Sequence, residues 1–521
     1  MKWFKNSKVY PTERLVVIGK THFSFHNHCY VNKNSRSQMD TMPTRRTGRL
    51  SVEVVSEFLN LFNNKSLYYI IFIAFLFSAC SKKDAPDIPI EPTLEDSEVP
   101  VIVPIGDEAY LNSDSDYIFD QKRLHTFELI IPDSDLTSIN SNPAAELYVE
   151  AILIFEGDTI SPVGVRYKGS IGAFVNCVSG NDWANPSGHK TCTKLSMKVK
   201  INWEGREEKF YKLKKLQFHS QNNDPSQMHD RLGYWLFREM GVPSPRSVHA
   251  KLKINGKYVG LFALTEQIDG RFVKYHFKDD GGNLYKEIWP LNMDGEPYPD
   301  FEYINALKTN EDDNPSIELI KKFGQDMSDA SIFELKDLVS NYMDIDKVLA
   351  YAVVDRTIRH DDGPFHWYCF DGECRNHNFY WYEEPTDQKL HLIPWDLDNA
   401  FENIINDANP ITPIADEWGE ISNNCEPFKK SFFGAQQKSA SCDRIIASWT
   451  LYDDVFSQKK NKLLQGPMSE SSTNEMLDRW SEQIRDATLE ANLLYDDAIS
   501  INEWESALQE LKNQLDHARN N

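Results

Sequence analysis

Apolar and polar residues alternate over residues 162–168, with Val163, Val165 and Tyr167 on one face and Arg166 and Lys168 on the other. Residues 194–202 repeat the pattern: Leu195, Met197, Val199 and Ile201 face one way, and Lys194, Ser196, Lys198 and Lys200 the other. A period of two predicts half-buried strands, and residues 127–132 and 147–155 read as strands as well. The alternation of 248–254 stops at Asn255-Gly256, and residues 257–269 return, which predicts a hairpin with a type I′ turn. Between these strands Met228, Leu232, Trp235, Leu236 and Met240 recur at helical spacing. Asp224 is the expected N-cap of that helix, Pro225 its first residue and Gln227 the partner in a capping box; Gly241 and Pro243 end it. From about Ser316 the period changes. Leu335–Tyr342, Ile345–Ile358, 474–493 and 503–518 read as helices, and strands are few and short. In the last pair Leu477, Trp480, Ile484 and Leu489 form a stripe that packs the tail onto the second half. The pattern predicts an α+β fold, strand-rich first and helical second, with a cleft between.

Residues 67–77 are an 11-residue apolar run after Lys65, followed by Ser78, Ala79 and Cys80. The run suits an export signal and falls short of the roughly 20 residues that span a bilayer. Small residues before a cysteine resemble a bacterial lipobox, with Phe77 standing where leucine is usual, and predict lipidation of Cys80 and a membrane-anchored protein. The first 60 residues are polar, partly basic and aperiodic, so the expected start of translation lies downstream. Residues 1–80 are therefore read as a leader, 81–120 as an acidic flexible linker and 121–521 as the folded domain.

The 521 residues are 40% hydrophobic and 12% aromatic, enough to bury a core, which excludes wholesale disorder. Lys and Arg number 56 against 79 Asp and Glu, a net charge of −23, which argues against nucleic acid as a partner. It leaves room for a divalent cation. Beyond Cys29 and Cys80, six cysteines fall in close pairs: Cys177/Cys192, Cys369/Cys374 and Cys425/Cys442. After an export signal these suggest disulfides, whose connectivity the sequence leaves open; a zinc site would want tighter Cys/His spacing.

The stretch IPWDLDNAF, residues 393–401, places Asp396 and Asp398 two apart after a strand. In extended backbone both point to one face and suit one hard cation. Asp361 and Asp362 precede Gly363-Pro364 at a loop mouth, where a carboxylate is a candidate general base. Asn378 opens the aromatic run NFYWY and is a candidate second metal ligand. His366 and His377 read as packed or hydrogen-bonding loop residues. Glu266 and Asp269 end a strand and Lys286 lies in GNLYKE, so a Lys–Glu pair is available to position phosphates, against the plainer reading of surface ion pairs.

The segments KLQFHSQNNDPSQMHDRLGYWLFREMGVPSP, INGKYVGLFALTEQID, GNLYKE, DDGP…NHNFYWYEE and IPWDLDNAF, in that order, resemble the CotH (spore coat protein H) family of secreted protein-kinase-like enzymes from about Arg123 onwards. The resemblance implies an atypical, two-lobed kinase fold with a β-rich N-lobe and a helical C-lobe. It implies ATP between the lobes, Mg²⁺ or Mn²⁺ on acidic residues, and transfer of the γ-phosphate to Ser/Thr of secreted or surface proteins. Carried over, Asp362 is the catalytic base, with Asp361 the weaker alternative. Asp396 holds metal with Asp398 close by and Asn378 assisting. Lys168, Lys198, Arg231, Glu266 and Lys286 lie around the nucleotide, and Lys168, Lys194 and Lys198 compete for the phosphates. The chain has no GxGxxG, HRD or DFG, and 15 residues separate Asp362 from Asn378 where a conventional kinase loop has about four. The rival readings are a non-catalytic surface-binding lipoprotein, using the aromatics of FHWYCF and NFYWYEE, and a nucleotidyl transferase.

Overall fold

The computed structural model describes residues 115–520 apart from 171, 183, 314, 371, 406–424 and 430–435. The leader, Cys80 and residues 81–114 of the expected linker lie outside the described residues. Residues 115–120 do not behave as linker: Ile118 and Phe119 are buried in the first core.

Seven strands build that core: β1 (His125–Ile130), β2 (Val149–Phe155), β3 (Asp158–Tyr167), β4 (Met197–Lys200), β5 (Lys215–His219), β6 (Ser247–Ile254) and β7 (Lys257–Thr265). The sequence predicts a strand-rich first half with one hairpin. The structure has a closed barrel, ordered β1-β2-β3-β4-β5-β7-β6, because β6 pairs parallel with β1 from His125↔Ala250 to Leu129↔Ile254. The alternation explains closure. Val163, Val165, Tyr167, Met197, Val199, Leu216 and Phe218 all bury inward, and Phe127 meets Phe155 and Phe218 at ring separations of 4.8 and 5.3 Å. The opposite face carries Arg166, Lys168, Lys198, Gln217 and His219. At the β6–β7 hairpin Asn255 and Gly256 have φ of 50° and 79°, the left-handed pair a type I′ turn needs.

Helix α1 (Asp133–Ser141) lies between β1 and β2, and α2 (His229–Glu239) between β5 and β6. The latter starts a turn later than expected. Asp224 caps from outside the helix, its carboxylate accepting the backbone N–H groups of Gln227 at 3.0 Å and His229 at 2.8 Å. Then follow α3 (Gly270–His276), β8 (Leu284–Lys286), α4 (Asp300–Ala306), α5 (Glu318–Asp329), α6 (Leu335–Tyr342) and α7 (Ile345–Ile358). Helix α7 is buried all round, from Val348 to Asp355, so it is a central element and not a surface one. The Asp344 side chain caps its start on the N–H of Lys347.

The second half holds more strand than expected. β8 joins β11 (Phe379–Glu384) and β12 (Lys389–Pro394) in a sheet ordered β12-β11-β8. β9 (Trp367–Phe370) and β10 (Glu373–Arg375) pair with β13 (Phe428–Lys429) and β14 (Gln436–Lys438) in the order β10-β9-β14-β13. The sequence reads residues 389–393 and the NFYWY run as strands, but misses β8, β9, β10, β13 and β14, because runs of two to four residues are too short to show alternation. Helices α8 (Arg444–Trp449), α9 (Asp453–Gln465), α10 (Glu470–Leu494) and α11 (Ile501–Asn520) complete the chain. α10 reaches the barrel, where Tyr258 Oη donates to the Ala487 carbonyl at 2.9 Å and Lys251 pairs with Glu490 at 2.6 Å. Among the described residues no helix is long and apolar enough to cross a membrane.

The six cysteines form three disulfides, Cys177–Cys192, Cys369–Cys374 and Cys425–Cys442. The aromatics of FHWYCF and NFYWYEE are core: Trp367, Phe379, Trp381 and Tyr382 are buried, and Phe370 alone of those aromatic residues is exposed. They therefore do not form the binding surface that the rival, non-catalytic reading draws from them.

Glu383, buried on β11, accepts from the Ile320 N–H at 2.9 Å and from Asn283 Nδ2 at 2.8 Å, yet burial pushes its carboxyl up to about 7. Its folded value exceeds its unfolded one of about 4.3, so between these values the native state binds the extra proton. Stability is full below about pH 4 and is lost as pH rises toward 7. The melting temperature of the wild type should fall from pH 5 to pH 8, and Glu383→Gln should flatten that slope.

Candidate active site

Two chain crossings place the principal acids. Helix α7 ends at Arg359, which adopts the left-handed conformation (φ 53°) and sends its N–H back to the Asp355 carbonyl. The chain then turns through His360, Asp361, Asp362 and Gly363. His360 is fully buried and fixes the turn, with Nδ1 3.2 Å from Asp355 Oδ2 and Nε2 3.0 Å from the Asp396 carbonyl oxygen. The second crossing follows β12. Asp396 is left-handed (φ 56°, ψ 69°), a conformation that Asp tolerates better than most residues. Its N–H donates to Tyr234 Oη at 2.9 Å. Asp398 lies in the short 3-10 turn Leu397–Asn399. The two acids thus sit on a tight turn and not, as extended backbone would have it, on one strand face.

They are nevertheless close. Burial raises the Asp396 carboxyl, Asp230 raises it further, and His219, Lys168 and Lys286 pull it down. Asp398 is pushed well up by burial and by Asp396, Asp230, Asp362 and Glu402. Carboxylates crowded this way relieve one another by binding a proton or a cation. Asp230 Oδ1 is buried and has no hydrogen-bond partner. Among the described residues no group of three or more His, Cys, Asp or Glu is placed to hold a metal ion by itself. That donor set fits Mg²⁺ or Mn²⁺ of the kind held by one or two carboxylates plus substrate phosphates and water, and not a metal needing an all-protein shell.

Asp361 and Asp362 separate cleanly. Asp361 is fully buried, accepts from Asn403 Nδ2 at 2.7 Å, and burial raises it to about 6. Asp362 is partly open. Its Oδ1 lies 2.5 Å from His377 Nε2, and its Oδ2 accepts from Asn378 Nδ2 at 2.8 Å. Asn378 is therefore spent on Asp362 and not, in this structure, on Asp396. The 15 intervening residues include the β9–β10 hairpin, whose Cys369 and Cys374 are direct cross-strand partners, so the insertion returns the chain to Asp362.

The cations come from the barrel and from β8. Lys168 Nζ lies 2.8 Å from His219 Nε2 and 5.5 Å from the centre of the Trp395 ring. Lys198 shares its face; burial, Lys168, Lys215 and Arg166 push its ammonium down to about 7. Lys286 pairs with Glu287 at 3.2 Å; burial opposes its charge, but Glu287, Tyr380 and Asp396 outweigh burial and raise it. Lys194 is spent on the Leu261 carbonyl at 2.9 Å.

Two expected residues lie elsewhere. Arg231 is fully buried, bonded to Gln121, His249 and Gln483 and stacked 4.5 Å from Trp480. It follows Asp230 on α2 but projects to another side, so it braces the barrel against α10. Glu266 is buried with Arg246 and His276, which hold it at about 2 although burial opposes this. It makes no pair with Lys286. His219, Asp230, His360, His377 and Glu287 were not assigned a role in the site from sequence. His219 and Asp230 sit inside the QFHSQNNDPSQMHDRLGYW segment, which carries part of the family resemblance but marks neither residue for a role. A surface depression lined by Arg123, His125, Glu128, Glu156 and Lys253 shares no residue with this cluster.

Gly363 shows how tightly the loop is set. A Cβ there would meet His360 Nδ1 at 2.5 Å and Asp355 Oδ2 at 3.0 Å, and neither partner is free to yield. Gly363→Ala should cost about 1–3 kcal/mol of stability. The displaced turn carries Asp362, and thermal melts of the variant beside the wild type would read the loss.

A family model described as CotH kinase protein matches residues 165–520 of this chain. The inner spore coat protein H of Bacillus subtilis (strain 168) is 25% identical over 191 residues, which are 36% of this chain and 49% of that protein. The chain thus spans about half the length of this curated relative.

Proposed function

The chain belongs to the CotH family, and from that premise we propose that it is an exported, atypical protein kinase. It would transfer the γ-phosphate of ATP to Ser/Thr hydroxyls of secreted or surface proteins, with ATP bound between a barrel-based N-lobe and a helical C-lobe. The observation that carries the reading is the meeting of Asp362 with the Asp396/Asp398 turn. Asp398 feels the charge of Asp362, while Lys168 and Lys286 act on Asp396. A general base, a cation-binding turn and phosphate-balancing ammonium groups are the parts phosphoryl transfer needs.

Asp396 and Asp398 would hold Mg²⁺ or Mn²⁺, whose charge offsets that of the phosphates. The chain's own residues supply the rest. Asp362 accepts the proton of the attacking hydroxyl. His377 and Asn378 occupy one lone pair on each of its oxygens and fix its aim, and further lone-pair sites remain for that proton. The hydroxyl oxygen bonds to the γ-phosphorus as the bond to the ADP oxygen breaks. Lys168 and Lys286 balance phosphate charge. The three disulfides support an oxidising compartment, and the Ser78-Ala79-Cys80 motif supports a lipid anchor at a membrane.

The test is intact-mass spectrometry of residues 81–521 with ATP, Mg²⁺ or Mn²⁺ and a Ser/Thr-rich acceptor protein. Additions of about 80 Da support the kinase; about 329 Da would indicate nucleotidyl transfer instead. Absence of any addition together with absence of an ATP-induced thermal shift would refute both enzymatic readings.

A further inference from the structure

Three lysines face the candidate site, and their surroundings differ. Lys286 is neutralised by a carboxylate, Glu287, at 3.2 Å. Lys198 has no carboxylate within ion-pair distance among the described contacts and lies amid Lys168, Lys215 and Arg166. Lys168 alone is bonded to an imidazole. His219 Nε2 is 2.8 Å from its ammonium, and His219 Nδ1 is 2.9 Å from Asp230 Oδ2. His219 and Asp230 are both buried. Asp230 lies on α2, His219 on β5, and Lys168 directly after β3, so the chain of contacts crosses three elements.

The protons in this chain follow from chemistry. Hydrogen bonds from His219 hold Asp230 below the ordinary carboxylate range although burial opposes this, so Asp230 is ionised and only accepts. Nδ1 of His219 must then carry the proton, and Nε2 is left as a lone-pair acceptor for one ammonium N–H of Lys168. Two N–H groups of that ammonium stay available. A direct Lys–carboxylate pair fixes a lysine by cancelling its charge. An intervening neutral imidazole fixes it and leaves the charge to act on an anion. Trp395 completes the seat, lying edge-on to His219 with ring centres 5.6 Å apart and beneath Lys168 Nζ. Asp230 Oδ2 also receives Thr265 Oγ1 at 3.5 Å.

We propose that Asp230 and His219 are positioning residues that aim Lys168, and that Lys168, rather than Lys198 or Lys286, is the lysine that grips the nucleotide phosphates. The inference rests on the ATP-binding reading above. It assigns to two residues without a role in the sequence comparison a task that acts wholly through a third.

The experiment is calorimetric binding of a non-hydrolysable ATP analogue with Mg²⁺, and of adenosine, to wild type, His219→Leu, His219→Gln and Lys168→Met. His219→Leu should weaken the ATP analogue about tenfold or more, the scale of one charge-assisted hydrogen bond, and leave adenosine unchanged. A general structural defect would weaken both. His219→Gln, whose amide can accept from Lys168 and donate to Asp230 at once, should recover most of the affinity. Added to Lys168→Met, His219→Leu should have no further effect, as expected of residues acting in series. Equal binding by wild type and His219→Leu would overturn the inference while leaving the kinase reading intact. So would losses that simply add in the double variant. If His219→Leu does not fold, the Gln variant and Asp230→Asn carry the same comparison. Failure of the wild type to bind the ATP analogue would overturn the kinase reading itself, and the inference with it.

Discussion

On the kinase reading proposed above, Asp396→Asn should abolish phosphoryl transfer and leave the protein at least as stable as before. The loss is expected to be on the order of 10³-fold or more, about 4 kcal/mol of transition-state stabilisation, since the carboxylate would hold the cation that offsets phosphate charge. The stability half of the result follows from the geometry. The contacts that fix Asp396 are made by its backbone, N–H to Tyr234 Oη and C=O to His360 Nε2, and both survive the change. Asn accepts the left-handed backbone (φ 56°) with little strain, which Ala would not. The substitution also removes a negative charge that burial and the adjacent Asp230 and Asp398 oppose. The apo melting temperature should therefore rise, as it does where a site is kept at the expense of stability. A variant that melts higher and gains no mass from ATP fits; one that keeps full activity removes Asp396 from the chemistry.

The second large effect falls on the fold. Arg231→Ala should cost about 3–5 kcal/mol and lower the melting temperature by on the order of 10 °C. All of the guanidinium is buried. Nε donates to Gln121 Oε1 at 2.9 Å, Nη2 to the Gln121 carbonyl at 2.8 Å, and Nη1 to Gln483 Oε1 at 2.8 Å, with His249 Nδ1 also at 2.8 Å. Truncation leaves these acceptors buried without a donor and opens a cavity against Trp480. Lysine is no substitute, because a point charge cannot reproduce the planar fork. Below the melting transition the surviving folded protein should bind ATP normally. Weakened ATP binding with unchanged stability would instead return Arg231 to the nucleotide site.

The same residue marks the limit of what the sequence displays. Arg231 and Asp230 are neighbours on the polar border of one helical stripe, and the stripe places the border without saying which of the two faces a ligand. Only β5, β6 and α10, elements outside the helix, decide it. Local periodicity located α6 and α7 to the residue and found the Asn255-Gly256 turn, because each rests on a pattern within a few residues. It did not show the barrel, since closure depends on β1 meeting β6, nor the β9–β14 sheet, whose strands of two to four residues are too short to alternate. The acids were legible as residue types. Their roles were not: Asp361 and Asp362 are adjacent and identical in kind, and Asn403, His377 and Asn378 divide them into a buried anchor and an open acceptor. His219 carried no signal, because its partners come from β3 and α2.

Barrel closure and the α10 braces also bear on the order in which the chain can fold. β1 has no parallel partner until β6 is available, more than 120 residues later. The barrel's outer wall then waits for helices from the far end: Arg231 meets Gln483 across 252 positions, and the Thr193 N–H meets Asp497 across 304. Contacts of such separation are slow to form, and segments awaiting them keep apolar surface exposed. The disulfides give little early help, since they close separations of 15, 5 and 17 residues. A nascent chain would thus stay without its native barrel seat until residues 470–520 arrive.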